Sequence, residues 1–170
     1  MSLTSPINVL FLCTGNSARS ILSEVLLNDL GAGPDGIMWN GFSAGSKPSG
    51  IPHPDGLAHL MSKGHAVGGY SSKSWDVFAG PDAPVMDIII TVCDNAAGEV
   101  CPVWPHRGGT PPIVAHWPAD DPAHVEPLAA RQAAFAQVYD LCKARIEALL
   151  ALDTSAPREQ LTASVRAIGV

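Results

Sequence analysis

A cysteine, five residues and an arginine stand where a short apolar stretch gives way to a helical pattern, in the segment Cys13-Thr-Gly-Asn-Ser-Ala-Arg19-Ser20. A tight loop entering a helix directs several backbone N–H groups into one concavity, and the helix amino terminus adds positive potential. That field favours the Cys13 thiolate, and Arg19 can bind two oxyanion oxygens at once. We predict that Cys13 attacks a phosphate-like oxyanion; the alternative is a structural cysteine beside a capping turn. The predicted oxyanion-binding residues are Thr14, Gly15, Asn16, Ser17, Ala18, Arg19 and Ser20.

Two further cysteines follow the third predicted strand. Cys93 comes directly after that strand, as Cys13 comes after the first, and Cys101 lies eight positions further along. In a sheet of order 2-1-3-4 the first and third strands are neighbours, and neighbouring strands are about 4.8 Å apart. A disulfide needs Cα atoms roughly 4.4–6.8 Å apart, which is a similar distance. A modest loop shift therefore brings Cys93 to Cys13, and Cys101 can in turn reach Cys93. Three thiols that meet in sequence indicate a disulfide relay.

Other interpretations of the cysteines remain open at this point. Cys93 and Cys101 with His106 or His116 can hold zinc, although their spacing is not that of a common zinc knuckle. Cys142 lies on the apolar face of the last predicted helix, which is typical of a buried, inert thiol.

An acidic pair follows the fourth predicted strand. Asp120 and Asp121 precede Pro122 in the loop that leads to the last helix. A carboxylic acid at this edge of the sheet can protonate the oxygen that leaves an oxyanion under attack. The same Asp-Pro pair can equally cap a helix.

These residues are positioned by alternating strands and helices. Such alternation implies right-handed crossovers and a parallel sheet covered on both faces. We therefore predict a three-layer α/β fold with helices on both faces of a four-stranded parallel sheet, for which the order 2-1-3-4 fits. Residues 1–152 are expected to form a single domain, with residues 153–170 as a peripheral tail. Strands are predicted at 7–12, 37–43, 86–92 and 113–116, and helices at 20–30, 54–64, 74–79 and about 125–150.

Composition excludes several classes of protein. The chain has 170 residues, 46% of them hydrophobic and 15% charged, which is typical of a globular protein. Its formal net charge of −6 and lack of a basic stripe argue against a nucleic-acid binder. No apolar run is long enough to span a membrane, and the amino terminus has no signal-peptide pattern. We therefore expect a cytoplasmic protein with reduced thiols.

Together these motifs resemble the low-molecular-weight protein tyrosine phosphatase superfamily and, within it, the arsenate reductases. The resemblance runs from residue 7 to about residue 150. The matching segments are CTGNSARS at 13–20, SAG at 43–45, HP at 53–54, VCDNAAGEVCP at 92–102 and HWPADDP at 116–122.

The resemblance implies a reaction in which Cys13 attacks arsenate, bound by Arg19 and the loop amides, with Asp121 as general acid. Cys93 would then attack the Cys13–arsenic adduct and release arsenite, and Cys101 would take over the disulfide. No tightly bound cofactor and no metal are implied, and Lys73 stands where potassium-binding members carry an acidic residue. The external reductant would be thioredoxin, or glutathione with glutaredoxin.

Two other functions remain as alternatives. A phosphatase acting on tyrosine or other phosphate esters would share Cys13, Arg19 and Asp121 but would not need Cys93. Ala123, after the Asp-Pro pair, argues against it, because tyrosine phosphatases of this family typically have an aromatic residue there. A non-enzymatic thiol or metal-binding module would need neither Arg19 nor Asp121.

Overall fold

The computed structural model describes residue 3 and residues 5–31, 36–92 and 110–170. Four parallel strands form one sheet in the order β2-β1-β3-β4, which confirms the predicted topology. The strands are β1 (Ile7–Cys13), β2 (Trp39–Gly45), β3 (Ile88–Thr91) and β4 (Ile113–His116). The helices are α1 (Arg19–Leu30), α2 (Pro54–Ser62), a 3-10 helix (Trp75–Phe78), α3 (Leu128–Leu150) and α4 (Arg158–Ile168).

The central strands of the sheet, β1 and β3, are mostly apolar and are buried on both faces. Successive β1 side chains alternate between the faces, so Val9 and Phe11 join the core beneath the long helices. Leu10 and Leu12 point the other way and pack with Phe78 of the 3-10 helix. A strand buried on both faces must lie inside the sheet, which is where β1 is found.

Helix boundaries follow local signals. Gly31 ends α1 in the left-handed conformation, with φ 38°, and its N–H donates to the Leu27 carbonyl. Helix α3 begins at Leu128 rather than near residue 125, because Pro127 disfavours helical geometry in the residue before it. No helix in the described ranges is long and apolar enough to cross a bilayer.

The carboxy-terminal segment differs from the expectation of a peripheral tail. Residues 158–168 form α4, whose Leu161 and Val165 side chains are buried in the core. Arg166 Nε donates to the Val114 carbonyl of edge strand β4 at 3.0 Å, and Arg158 donates to the Pro111 carbonyl. The segment is an integral layer of the domain because it shields both apolar surface and the free edge of the sheet.

Candidate active site

Strand β1 and helix α1 place Cys13 and Arg19 at opposite ends of one short loop. Cys13 is the last residue of β1, and Arg19 is the first of α1. The loop therefore lies at the carboxyl edge of the parallel sheet and at a helix amino terminus. Both features favour an anionic ligand.

The Cys13 sulfur is surrounded by hydrogen-bond donors. Its side chain is buried, and the Asn16 backbone N–H donates to Sγ at 3.1 Å. Ser20 Oγ lies 3.0 Å from the same sulfur. Donors directed at a sulfur stabilise its thiolate, which is the nucleophilic form.

Asn16 fixes the geometry of this loop from its interior. It has φ 44°, a left-handed conformation that asparagine tolerates better than most residues. Its side-chain amide donates to Ser20 Oγ at 2.8 Å, and its Oδ1 accepts the Lys73 backbone N–H at 2.8 Å. Asn16 is completely buried, so these bonds hold the loop to the segment before the 3-10 helix.

The outer side of the loop is bonded to residues 47–53. The Thr14 carbonyl accepts from the Lys47 N–H and the Gly15 carbonyl from the Ser49 N–H, both at 2.9 Å. The Ser17 carbonyl accepts from the His53 N–H at 2.8 Å. These bonds engage carbonyl oxygens that would otherwise repel an oxyanion.

Arg19 connects the loop to the predicted acid. Its Nη1 donates to the Ala119 carbonyl at 2.9 Å, and its Nη2 lies 3.5 Å from Asp121 Oδ2. Asp121 Oδ1 accepts the Ala123 N–H at 3.0 Å. The Asp-Pro segment thus forms a turn, and its carboxylate also reaches the active-site arginine.

These groups line one open cavity of ≈ 340 Å³. Cys13 lies in its wall with Arg19 and Asp121, so nucleophile, anion-binding group and acid face a common space. Ser49 and His124 also line it, and the sequence did not single them out; for His124 the only signal is its position two residues after the Asp-Pro pair. The described lining residues are Cys13, Thr14, Gly15, Ser17, Ala18, Arg19, Ser49, Asp121 and His124.

Two groups of opposite charge, the buried Glu24 carboxyl and the half-buried Lys73 amine, both contact Ser43 of β2. Ser43 Oγ donates to Glu24 Oε1 at 2.6 Å, and Lys73 Nζ donates to the Ser43 carbonyl at 3.1 Å. Burial raises the pKa of Glu24, and the Ser43 hydrogen bond and the Lys73 charge partly offset it. Burial lowers the pKa of Lys73, which the Glu24 charge opposes. Each group thus stabilises the other's charged form.

The predicted relay thiols, Cys93 and Cys101, lie outside the described residues, as does His106. The chain leading to them is described. The Val92 N–H donates to the Leu12 carbonyl at 2.9 Å, so the residue before Cys93 lies beside the residue before Cys13.

The other cysteine and histidine of the alternative interpretations are described. His116 Nδ1 lies 2.8 Å from Thr91 Oγ1. Cys142 is buried in the core, where burial raises the pKa of its thiol. A thiol that stays protonated is a poor nucleophile, which agrees with the prediction of an inert residue.

Comparison with known proteins gives the same family from several directions. The family model for low molecular weight phosphotyrosine protein phosphatase matches residues 8–166. An arsenate reductase of Brevibacillus brevis is 34% identical over 118 residues, which are 69% of this chain and 78% of that protein. An arsenate reductase solved in the phosphate binding state is 27% identical with a TM-score of 0.58, over 85% of this chain and 96% of that one.

A third similar protein is a thioredoxin-dependent arsenate reductase of Corynebacterium glutamicum. It is 25% identical with a TM-score of 0.53, over 84% of this chain and 63% of that one. The residues that the family model matches include the cysteine loop and the acidic pair. The chain therefore belongs to the low molecular weight phosphotyrosine protein phosphatase family, together with the arsenate reductases of that family.

Proposed function

We propose that this protein reduces arsenate to arsenite at Cys13, using a relay of protein thiols. The observation that carries the proposal is the shared cavity of Cys13, Arg19 and Asp121. The similar proteins described as arsenate reductases, one of them solved in the phosphate binding state, support an oxyanion of this shape as the substrate.

In the first step the Cys13 thiolate attacks arsenic and an arsenate oxygen departs. Arg19 and the loop amides bind the remaining oxygens, and their positive potential stabilises the charge that develops. Asp121 donates a proton to the departing oxygen, which leaves as water. The product is a Cys13–S–As(V) adduct, and no electrons have yet been transferred.

In the second step Cys93 attacks the Cys13 sulfur of the adduct. A Cys13–Cys93 disulfide forms, the S–As bond breaks, and its electron pair stays on arsenic, which leaves as arsenite. Two thiols are oxidised by two electrons in total, and As(V) becomes As(III). The position of Val92 beside Leu12 supports this assignment, because Cys93 is the next residue along the chain.

In the third step Cys101 attacks Cys93 and releases the Cys13 thiolate. The resulting Cys93–Cys101 disulfide is then reduced by an external thiol. A thioredoxin-dependent protein among the similar structures supports thioredoxin as that reductant, and glutathione with glutaredoxin is the alternative. A relay that depends on reduced thiols suits the cytoplasm, so that location belongs to the same proposal.

The test is to measure arsenite release by the wild type and by single cysteine variants, with thioredoxin and with glutathione plus glutaredoxin. Cys13→Ser and Cys93→Ser should release no arsenite. Cys101→Ser should stop after about one turnover with thioredoxin, because its Cys13–Cys93 disulfide cannot be passed on. Cys142→Ala is the matched control and should retain activity. Arsenite release by Cys93→Ser at the wild-type rate would contradict the relay.

A phosphatase is the second candidate, because the family match and the Cys13, Arg19 and Asp121 cavity serve phosphate esters equally well. The described residues lining the cavity include no Phe, Tyr or Trp that would stack on a tyrosine ring. Turnover of p-nitrophenyl phosphate by both the wild type and Cys93→Ser, without arsenite formation from arsenate, would favour this candidate.

A thiol or metal-binding module without catalysis is the third interpretation. It gives no role to the Arg19 contact with Asp121. Zinc that stays bound through gel filtration, together with no turnover of either substrate, would favour it.

A further inference from the structure

Trp117 begins the loop that carries Asp121, and three different elements hold it. Its backbone N–H donates to the Thr91 carbonyl of β3 at 2.8 Å. Its indole N–H donates to the Val165 carbonyl of α4 at 2.9 Å, and its own carbonyl accepts from Arg145 Nη1 of α3 at 3.1 Å. The Trp117 side chain and its indole bond to Val165 are buried, and the Arg145 bond is partly buried.

The next bonded residue of this loop is Ala119. Its N–H donates to the Val92 carbonyl at 3.3 Å, and its carbonyl accepts from Arg19 Nη1 at 2.9 Å. Asp121 follows, 3.5 Å from Arg19 Nη2. Trp117, Ala119 and Asp121 therefore each have a polar partner outside the loop. The partner of both Ala119 and Asp121 is Arg19, through a hydrogen bond to Ala119 and an ion pair with Asp121.

Gly169, the residue that follows helix α4, also packs against the start of this loop. A Cβ atom added to Gly169 would lie 2.3 Å from the His116 carbonyl oxygen and 2.4 Å from the Trp117 ring. A side chain would not fit at position 169, so the backbone of Gly169 packs directly against Trp117.

We propose that Arg145 and helix α4 are positioning elements for the general acid: by fixing Trp117 they hold Ala119 and Asp121 in place against Arg19. This inference rests on the proposed arsenate reductase activity and extends it to residues remote from the reacting atoms. The physical reason is that a general acid must lie within hydrogen-bond reach of the oxygen it protonates. A displacement of about 1 Å can cost on the order of a hundredfold in rate.

Substitutions of Arg145 test the proposal most directly, because its side chain donates to the Trp117 carbonyl. Arg145→Met keeps an apolar stem of similar length and removes the donor to the Trp117 carbonyl. Arg145→Lys keeps a cationic donor. Lys143→Met is the matched control, because Lys143 is an exposed residue of the same helix whose amine lies 3.1 Å from Glu147.

The experiment measures the single-turnover rate of arsenite formation in a double-mutant cycle with Asp121→Asn. Wild-type turnover is established first, and its absence would defeat the proposed function rather than this inference. We expect Asp121→Asn to slow the reaction about a hundredfold and Arg145→Met about tenfold. The double variant should be no slower than Asp121→Asn alone, because a misplaced acid matters only while the acid is present.

A role in folding alone would give a different pattern. Arg145→Met would then slow Asp121→Asn by the same factor as it slows the wild type, and that multiplicative result would overturn the proposal, as would an unchanged rate in Arg145→Met. The single-turnover rate of Arg145→Lys should be within about threefold of the wild-type rate. Lys143→Met should have the wild-type rate. If Arg145→Met does not fold, Trp117→Phe, which removes the donor to Val165, tests the same cycle.

Discussion

The Ser20 hydroxyl lies 3.0 Å from the Cys13 sulfur and donates to it when that sulfur is a thiolate, because a thiolate has no proton to donate. Asn16 Nδ2 donates to Ser20 Oγ at 2.8 Å, so that oxygen already accepts one hydrogen bond. Its own proton is then available for Cys13 Sγ, 3.0 Å away. The donors that the thiolate would have among the described residues include the Ser20 hydroxyl and the Asn16 backbone N–H.

Ser20→Ala should shift Cys13 alkylation to higher pH. A hydrogen bond to a charged group contributes about 1.5–3 kcal/mol, which corresponds to roughly one to two pH units. The measurement is the pH dependence of iodoacetamide labelling of Cys13, followed by mass spectrometry of its peptide. The same midpoint in Ser20→Ala and wild type would show that the hydroxyl does not bond the thiolate.

Asn16 variants separate a backbone effect from a side-chain effect. Asn16→Gly keeps the left-handed conformation at φ 44° but loses the bonds to Ser20 and Lys73. Asn16→Ala loses both, and should be less stable than Asn16→Gly by about 1–2 kcal/mol, since alanine resists that conformation. The free energy of unfolding in urea measures the difference. Equal stability of the two variants would mean that the loop relaxes to another conformation.

The strand-loop-helix arrangement around Cys13 could be predicted from sequence because its determinants are local. An apolar run, a glycine-containing turn and helical periodicity lie side by side in residues 7–30. The apolar sequences of β1 and β3 are also typical of inner strands, and the structure places both inside the sheet.

Contacts between segments that are far apart in the chain leave no comparable pattern in the amino-acid sequence. Lys73 meets Asn16 through its backbone N–H, 57 positions away, and a backbone contact does not constrain residue type. Helix α4 did carry a helical spacing in Leu161, Val165 and Ile168. The pattern covers only 11 residues, and no side chain caps the start of the helix at Pro157. The sequence pattern gives no sign of the contact between this helix and Trp117, whose indole N–H donates to the Val165 carbonyl.

Gly45→Ala should disrupt the oxyanion loop. A Cβ at Gly45 would lie 2.4 Å from the Thr14 carbonyl oxygen and 3.0 Å from the Cys13 carbonyl oxygen. Both are backbone atoms of the active site, so the loop must move. We expect loss of most arsenate turnover and about 1–3 kcal/mol of stability. The control is Gly68→Ala, where nothing lies within 4 Å, and it should behave like wild type; a similar loss in both variants would contradict the steric explanation.

Lys73→Met should make stability more dependent on pH, because Glu24 would lose the cation that offsets its burial. With a raised pKa in the folded state, Glu24 binds its proton more tightly when folded. Its contribution to stability is therefore full below the unfolded pKa of about 4.5 and is lost as pH rises through the folded value. Without Lys73 the folded value rises further, and the loss extends to higher pH.

The measurement is the free energy of unfolding between about pH 5 and pH 8. Lys73→Met should be destabilised by about 1–3 kcal/mol at the upper end and by less at the lower end. Lys143→Met removes an exposed lysine and should follow the wild-type curve. A destabilisation of Lys73→Met that is constant across this range would show that Glu24 does not respond to Lys73.

Leu161→Ala tests whether α4 belongs to the folded core. Leu161 is 2% exposed, and truncating a buried leucine costs about 2–5 kcal/mol. Leu141→Ala is the matched control, because Leu141 is 39% exposed on α3 and alanine is a good helix former, so its change should stay within about 0.5 kcal/mol. Both are measured by urea unfolding with arsenate turnover in parallel. Since α4 also holds Trp117 through the Val165 carbonyl, Leu161→Ala should lower turnover as well as stability. A variant as stable as wild type would mean that this helix is an appendage after all, and the acid loop would then need another support.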